Sequence, residues 1–387
     1  MNKRALSLSI GGLLAMAAGI GIGRFVYTPI LPAMVEALSL SKSQAGLIAS
    51  ANFLGYLAGA LLAAVRLPGS RRFWLLASLA ITAICLLGMG LATAMPVFMG
   101  LRIVAGGASA FALIFSSALV IDRLSASGQG ALSAVHFAGV GVGISVSAII
   151  VAVLLKLGAA WSLLWYASAA FAVAAGFVVA WLVPPDETAA QTTKRPADLR
   201  LSGYFVALLL AYGLFGFGYV ITATFIVDMV RGTSSIAPLE PYIWLLFGLC
   251  AVPSVALWTA LGRRWGVLRI YAAACIVEAA GVATSALWLH PASIVISAVF
   301  VGGTFVSLSA LGLVATRSNG SDPRGRIALM TVSFSIGQIL GPAFAGYVYD
   351  ATGSLAMPLL AAVGALVLAA VLSLVADAKR PALSPSR

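Results

Sequence analysis

Twelve apolar segments, each about as long as a helix that crosses a bilayer, constrain this chain more than any other feature of its sequence. A helix needs about 20 apolar residues to cross the hydrocarbon core of a membrane. The predicted spans are 7–36, 44–65, 73–93, 97–121, 132–155, 161–183, 204–230, 241–261, 269–289, 293–316, 327–349 and 354–376. No alternating pattern typical of a membrane barrel recurs, so the sequence predicts an all-α integral membrane protein.

The composition indicates that lipid is the solvent for this fold. Hydrophobic residues make up 61% of the 387 residues, charged residues make up 9%, and the mean hydropathy is +1.07. The net charge of +12 would suit a nucleic acid, but the basic residues occur in small groups between apolar segments, with no basic face that carries stacking aromatics. We therefore expect the lipid bilayer as a partner, and no nucleic acid.

The basic residues also predict an orientation. With the N-terminus inside, 18 of the 23 lysines and arginines fall in cytoplasmic segments, as the positive-inside rule requires. Both termini are then cytoplasmic. The first apolar segment is too long for a cleavable signal and is predicted to be the first helix. The three cysteines lie inside predicted spans, which favours a role as small core hydrophobes over a disulfide framework.

The spans divide into two sets of six around the longest polar segment of the chain. We interpret 184–203 as a cytoplasmic linker between an N-terminal bundle, 1–183, and a C-terminal bundle, 204–387, which ends in a short cytoplasmic tail. Three sequence matches, in the same order and at nearly one shift, relate the two halves. They are 21–24 with 216–219 at a shift of 195, 111–123 with 305–317 at a shift of 194, and Gly139 and Gly143 with Gly337 and Gly341 at a shift of 198. Parallel repeats of this kind are typical of transporters, whose substrate site lies near the midplane between the halves.

The first helix carries the most informative local feature, a charged residue at membrane depth. Arg24 would cost roughly 2.5–3.5 kcal/mol at the centre of a bilayer, so it is expected to face protein, water or a ligand. Gly21 and Gly23 beside it allow another backbone or a substrate to approach closely. Pro29 and Pro32 predict a kink beyond the arginine. The segment is therefore a candidate wall of a transport site; the alternative is a packing face in which Arg24 pairs with a neighbouring carbonyl.

Helical spacing and the repeat extend this candidate site to both halves. Arg24 and either Tyr27 or Thr28 share one side of the first helix, and Tyr219 and Thr222 repeat the pattern on the seventh. Arg24 is equivalent to Tyr219 under the repeat, and Tyr27 is equivalent to Thr222. We predict that these five side chains bind substrate, and a guanidinium group suits a carboxylate or phosphate.

Three other charged residues are candidates for coupling or gating. Arg102 lies toward the outer end of the fourth helix, where it could snorkel, and its expected role is structural or coupling. Glu278 lies near the middle of the ninth helix, and burial disfavours the charged form of a carboxylate, which suits reversible proton uptake. Asp228 lies near the outer end of the seventh helix, either as an interfacial charge or as a partner of Arg231. Helix packing is expected of six glycines, Gly21, Gly23, Gly139, Gly143, Gly337 and Gly341.

The whole pattern resembles the major facilitator superfamily. The run Gly21-x-Gly23-Arg24-Phe25-x-Tyr27-Thr28-Pro29-x-Leu31-Pro32 is in particular similar to the bacterial YbfB/YjiJ-type subfamily, and Arg102-x-x-x-Gly106-Gly107 resembles a motif linked with proton-coupled carriers. The resemblance implies two pseudo-symmetric six-helix bundles in the bacterial cytoplasmic membrane, alternating access, and a cavity lined by the first, fourth, seventh and tenth helices. The basic loop after the second helix keeps Gly69, Arg71 and Arg72 but lacks the aspartate of the superfamily motif.

The expected function is secondary transport of a small organic solute, coupled to protons, in which Arg24 suggests a negative group on the solute. The alternatives are a broad-specificity drug or metabolite efflux antiporter and a membrane sensor or scaffold that does not transport. An enzyme is not expected, because the sequence has no nucleophile–base pair or paired carboxylates at active-site spacing. No nucleotide-binding loop or metal-ligand spacing is present, so we expect no cofactor and no metal. The expected working unit is a monomer.

Overall fold

The computed structural model describes residues 3–65, 67–185, 202–317 and 323–379, and these residues form helices and no strand. Twelve of the helices are long and apolar enough to cross a membrane. In chain order they are α1 Arg4–Leu38, α2 Lys42–Ala63, α3 Arg71–Leu91, α4 Met95–Ala126, α5 Gly130–Lys156, α6 Trp161–Leu182, α7 Gly203–Arg231, α8 Ala237–Trp265, α9 Val267–Leu287, α10 Pro291–Thr316, α11 Gly325–Thr352 and α12 Ala356–Ala378. The prediction of a twelve-span, all-α membrane protein is confirmed. Most of the predicted linker, 186–201, lies outside the described residues, as do 380–387 of the predicted tail.

Serine N-caps begin three of the spans, and a single glycine connects two others. Ser41 and Gln44 form a reciprocal capping box at the start of α2, and Ser70 and Ser202 accept backbone N–H groups at the starts of α3 and α7. Gly266 joins α8 to α9 alone, with a φ of 95°. A side chain at that φ would be strained, so glycine permits this one-residue connection.

The two bundles meet along three helix pairs, α2 with α11, α5 with α8, and α1 with α7. Glycines bring two of these pairs into backbone contact. A Cβ atom at Gly46 of α2 would overlap the carbonyl of Pro342 in α11, and one at Gly141 of α5 would lie 2.6 Å from the carbonyl oxygen of Gly248 in α8.

The first helix is broken at membrane depth. Its α-helix ends at Met16, a π-helical segment spans Ala17–Ile22, and residues 23–26 form turns before the α-helix resumes at Tyr27. The irregular backbone therefore spans residues 17–26, on both sides of Arg24, and both prolines lie beyond it. Pro29 falls in the first turn of the resumed helix, where its missing N–H would have had no intrahelical partner, and Pro32 lies inside that helix.

Close packing against α5 accompanies the break in α1. A Cβ atom at Gly21 would lie 2.6 Å from Cα of Gly143, and one at Gly139 would overlap the carbonyl of Leu13. The equivalent glycines of the second half, Gly337 and Gly341, pack α11 against α7 in the same way, at Gly213 and Phe217. Both repeat-related glycine pairs thus lie where one helix backbone meets another.

The tenth helix is also broken, and the sequence analysis missed this break. Its first segment spans Pro291–Gly302, residues 303 and 304 form a turn, and the second segment begins at Phe305. The adjacent glycines Gly302 and Gly303 were the available signal, since such pairs are a recognised cause of helix kinks. Two of the four helices expected to line the cavity are therefore discontinuous.

Candidate functional site

The crossing of α1 and α7 lies at the centre of the candidate site. The Thr28 hydroxyl donates a hydrogen bond to the carbonyl of Ala223 at 2.6 Å, across 195 residues of chain. This separation equals the repeat shift, so a residue of one half contacts its own equivalent in the other. The axis that relates the two halves therefore passes through this contact. Arg24 and Tyr219, which are equivalent to each other, lie one turn away on either side of it.

Arg24 is buried without an ionic partner among the described residues. Its side chain is 7% exposed, and its guanidinium carbon lies 4.5 Å from the ring centre of Phe53 and 4.7 Å from that of Tyr56. Neither Nε nor Nη2 has a hydrogen-bond partner. These two nitrogens form one edge of the planar group, which is suited to a bidentate carboxylate. The alternative role, in which a neighbouring carbonyl pairs with this edge, is absent from the described structure.

A set of stacked rings from the second half faces the arginine, and we call it the aromatic wall. The Tyr219 ring lies 5.2 Å from Phe215, 5.6 Å from Phe305 and 6.0 Å from Phe334, with interplanar angles of 24°, 20° and 7°. Tyr212 completes the wall by stacking on Phe334 at 4.8 Å. The Arg24 charge is within electrostatic range of the hydroxyl groups of Tyr212 and Tyr219, and of Tyr56. One cation therefore lies within electrostatic range of a set of mostly apolar, stacked rings.

Two buried polar groups of the second half also lack partners. The Gln338 amide donates to the Tyr219 hydroxyl, while its carbonyl oxygen Oε1 is unpartnered. Thr222 is 1% exposed, and its hydroxyl is likewise unpartnered. Unpartnered buried polar groups are uncommon in folded proteins and call for an explanation, such as a ligand or an ordered water.

The space around Arg24 is small in this conformation. A cavity of about 10 Å³ is lined by Arg24, Phe25, Tyr27, Thr28, Ala49, Phe53, Arg102, Val220, Ala223 and Thr224. This volume is close to the least that holds one water molecule. The site is therefore closed around Arg24, and a solute of several atoms requires the halves or the side chains to move.

Two of the predicted binding hydroxyls are engaged in helix packing. Tyr27 donates from its hydroxyl to the carbonyl of Ala45 in α2 at 2.9 Å, and Thr28 donates to Ala223 as described above. Both side chains line the cavity. Of the other two predicted binding residues, Tyr219 lies within electrostatic range of Arg24, and neither Tyr219 nor Thr222 lines this cavity. Of the three from α1 only Arg24 has free donors.

Arg102 supports the break in α1. Its Nη1 and Nη2 donate to the carbonyls of Gly23 and Arg24 at 3.4 and 3.1 Å, and its side chain is only 2% exposed. Arg102 therefore does not snorkel towards the membrane surface. The physical reason is the irregular backbone, because the break leaves carbonyls without helical partners and a buried guanidinium satisfies two of them. Arg102 thereby fixes the backbone that carries Arg24.

Glu278 lies at the second broken helix. It is fully buried, its Oε2 accepts a hydrogen bond from the Thr304 hydroxyl at 2.7 Å, and its Oε1 has no partner. Thr304 belongs to the turn in α10, where Trp258 donates to the carbonyl of Gly303 at 2.8 Å. Glu278 is also within electrostatic range of Tyr219. The carboxyl group therefore connects α9, the break in α10 and the aromatic wall.

Asp228 takes a partner from the other half of the chain. Its carboxylate lies 2.6 Å from Nζ of Lys42, while Arg231 lies 3.4 Å from Glu36 and 3.6 Å from Glu240. Of the two roles considered for Asp228, the pair with Arg231 does not occur among the described residues. Asp350 of α11 accepts the backbone N–H groups of Lys42 and Ser43, both at 3.0 Å. We call Lys42, Asp228 and Asp350 the Lys42 clamp, and the end of the bundle that carries it the Lys42 end.

Sequence reasoning missed most of the surroundings of Arg24. Phe53 and Tyr56 lie three residues apart on α2, and Tyr212, Phe215 and Tyr219 lie three and four apart on α7, so each set occupies one helix face. That spacing was a usable signal. It does not reveal that the two faces meet around Arg24, since that depends on how the helices cross.

Comparisons with known proteins agree with this architecture. A family model described as "Uncharacterised MFS-type transporter YbfB" matches residues 16–374. No curated protein matches the sequence significantly. The fold is similar to that of a mutant of the nucleoside transporter NupG, with a TM-score of 0.75 and 16% identity over 97% of this chain and 100% of that one.

Two further solved structures share the fold. The nucleoside transporter NupG itself aligns with a TM-score of 0.70 and 17% identity, covering 98% of this chain and 99% of that one. A bacterial homologue of the human lysosomal transporter Spinster, inward-facing and occupied, aligns with a TM-score of 0.68 and 16% identity, covering 97% and 96%. At these identities the likeness concerns the fold. Family and fold together identify a transporter and not an enzyme, and the chain belongs to the YbfB-type family of the major facilitator superfamily.

Proposed function

We propose that this protein is a proton-coupled secondary transporter that moves a small organic anion across the bacterial cytoplasmic membrane by alternating access. The observation that carries the proposal is the free Nε–Nη2 edge of Arg24, buried beside the axis between the two halves. An uncompensated buried charge costs several kcal/mol, roughly, and an anion bound to it offsets that cost. A solute on this edge would lie between the two bundles, which is where alternating access requires it.

The closed state around Arg24 supports alternating access. The Lys42 clamp joins the two halves at one end through Lys42 and Asp228, and the cavity beyond it is close to the size of one water molecule. In the orientation inferred from the basic residues, the Lys42 end faces outward and both termini are cytoplasmic. Because all the groups of the candidate site come from one chain, the proposed working unit is a monomer.

Glu278 supports the proton-coupled part of the proposal. Only one of its two carboxyl oxygens has a partner, so the group can exist with or without a proton while Thr304 remains hydrogen-bonded. Because Glu278 lies at the break in α10, its protonation would change its hydrogen bond with Thr304 and so the contacts of the broken segment. Because Glu278 lies within electrostatic range of Tyr219, its protonation would also change the electrostatics of the candidate binding site.

The test is flux in liposomes that contain the purified full-length protein under an imposed pH gradient. Organic acids, a nucleoside, a sugar and a cationic dye are supplied separately. We expect gradient-driven movement of an acid, its loss in Arg24→Gln, and its retention in Arg269→Gln, a matched change at a residue that is 71% exposed. In Glu278→Gln we expect counterflow of the acid to continue while the pH gradient no longer drives accumulation.

The alternative functions give distinct results in the same assay. Gradient-dependent dye flux with no acid movement would favour the efflux antiporter. Nucleoside flux of the same rate in the parent and in Arg24→Gln would contradict an anionic substrate. No flux of any solute would favour a sensor or scaffold. Unchanged accumulation in Glu278→Gln would remove that residue from coupling while leaving anion transport in place.

A further inference from the structure

The rings that face Arg24 narrow the kind of anion that fits. The Tyr219 ring is within 24° of parallel to the rings of Phe215, Phe305 and Phe334. All four rings are buried, so a ligand that enters when the cavity opens meets nearly parallel ring faces. Parallel aromatic faces favour another flat ring in an offset stack, a gain beyond simple burial of apolar area. A saturated ring or a branched aliphatic chain cannot approach such faces as closely.

The guanidinium restricts the direction from which a ligand can bind. Phe53 and Tyr56 cover the group at 4.5 and 4.7 Å, so approach over those rings is blocked and the free edge of Nε and Nη2 remains. A ligand on this edge lies in the plane of the guanidinium, as a carboxylate does in a bidentate pair. The second buried arginine, Arg102, donates to two backbone carbonyls through Nη1 and Nη2 and keeps only Nε unpartnered, so of the two arginines Arg24 alone offers an edge with both nitrogens free. One edge suits a single carboxylate better than a doubly charged phosphate.

We propose, building on the proposed function, that the site takes a small planar aromatic carboxylate of about the size of benzoate. The carboxylate binds Nε and Nη2 of Arg24, and the ring stacks on the aromatic wall in an opened form of the cavity. Gln338 contacts Tyr219 of this wall and has an unpartnered polar atom. Whichever way the Gln338 amide is turned, one of its two polar atoms lacks a partner, so a polar substituent on the ring would find a hydrogen-bonding group there.

A ligand series on the unmodified protein tests the proposal without relying on any variant. Benzoate, cyclohexanecarboxylate and benzamide have similar sizes; the second keeps the charge without the flat ring, and the third keeps the ring without the charge. Affinities are measured with the purified full-length protein in detergent by competition against labelled benzoate. We expect benzoate to bind about tenfold more tightly than cyclohexanecarboxylate, given the strength of aromatic stacking. Benzamide should bind more weakly than either acid.

Variants of the wall then test the contact itself. Phe334→Leu should reduce the preference for benzoate over cyclohexanecarboxylate towards one, while Phe334→Tyr, which keeps the ring, should retain it. Phe177→Leu is the matched control, because this ring is 75% exposed on α6, away from the site. Helical circular dichroism and thermal unfolding establish that each variant is folded. If Phe334→Leu does not fold, the ligand series and Phe334→Tyr still decide the question.

The outcomes separate this inference from the proposed function. Equal binding of benzoate and cyclohexanecarboxylate, both lost in Arg24→Gln, would overturn the aromatic class and leave anion transport standing. Benzamide binding as tightly as benzoate would overturn both. No binding of any of the three by folded protein would overturn the aromatic inference, and liposome flux of aliphatic acids would then report separately on the proposed function.

Discussion

Two buried arginines, Arg24 on α1 and Arg102 on α4, have different surroundings. The difference predicts that replacing them has opposite effects on stability. Arg24 has aromatic rings around it and two unpartnered nitrogens, whereas Arg102 donates to two carbonyls that the break in α1 leaves free and keeps only Nε unpartnered. A buried charge without a partner destabilises a fold, while a charged donor to an otherwise orphaned carbonyl stabilises it. Binding sites often carry such a stability cost in exchange for function.

Changing each arginine to methionine should therefore move the thermal midpoint in opposite directions. We expect Arg24→Met to raise it by roughly 2 °C and Arg102→Met to lower it by roughly 2–5 °C, since one kcal/mol is worth a few degrees in a large domain. The measurement is thermal unfolding of the detergent-solubilised protein without added acid. A fall of similar size in both variants would mean that Arg24 is a structural residue, which would contradict the binding role.

Among the elements, α1 depends on glycine more than on its prolines. The π-helical segment and the turns that follow it bring the backbone of α1 against α5, where Gly21 meets Gly143. A methyl group at Gly21 would lie 2.6 Å from Cα of Gly143 and 2.8 Å from the carbonyl oxygen of Val140. Both contacts are backbone atoms, which cannot turn aside as a long side chain can.

Gly21→Ala should consequently destabilise the protein by about 1–3 kcal/mol through overpacking. Gly364→Ala is the matched control, because a Cβ atom at that position in α12 would meet nothing within 4 Å. Alanine there should be neutral or stabilising by up to about 1 kcal/mol, as is usual inside a helix. Yield and thermal midpoint in detergent check both variants. A Gly21→Ala protein as stable as the parent would show that α1 and α5 can separate at no cost.

At the scale of the whole molecule, the Lys42 clamp holds the two halves together at one end. The Lys42 ammonium pairs with Asp228, and the first two N–H groups of the same helix are accepted by Asp350. The positive end of the α2 dipole favours a carboxylate at this place. Asp228 is 7% exposed and Lys42 is 17% exposed, so solvent screens this pair less than an open surface pair.

Removing both carboxylates should shift the population towards a form that is open at the Lys42 end. In a cysteine-free background, Thr224→Cys places a thiol on the cavity, and an impermeant maleimide added from the Lys42 side reports its access. We expect labelling to be several-fold faster when Asp228→Asn and Asp350→Asn are combined. Glu36→Gln serves as the control, since Glu36 is 74% exposed in its pair with Arg231 and should have little effect. Identical labelling in all three proteins would exclude the clamp as the contact that keeps this end closed.

Much of the fold and part of the site follow from local sequence. Span length and polarity predicted all twelve helices, because the hydrocarbon core requires a fixed apolar length whatever the neighbours are. The repeat predicted that Arg24 and Tyr219 are equivalent, and Thr28 contacts Ala223 at that same shift. A charge at membrane depth identified Arg24 as a residue that needs an explanation.

Tertiary structure decided which partners these residues have. Asp228 pairs with Lys42 rather than with Arg231, and Arg102 turns inward to the carbonyls of Gly23 and Arg24. The break in α10 places Thr304 against Glu278, and Phe53, Tyr56 and the aromatic wall meet around Arg24 only because of how α1, α2 and α7 cross. The physical reason is that hydrophobic length is a property of each segment, whereas hydrogen bonds, ion pairs and ring contacts depend on which segments become neighbours and at what register.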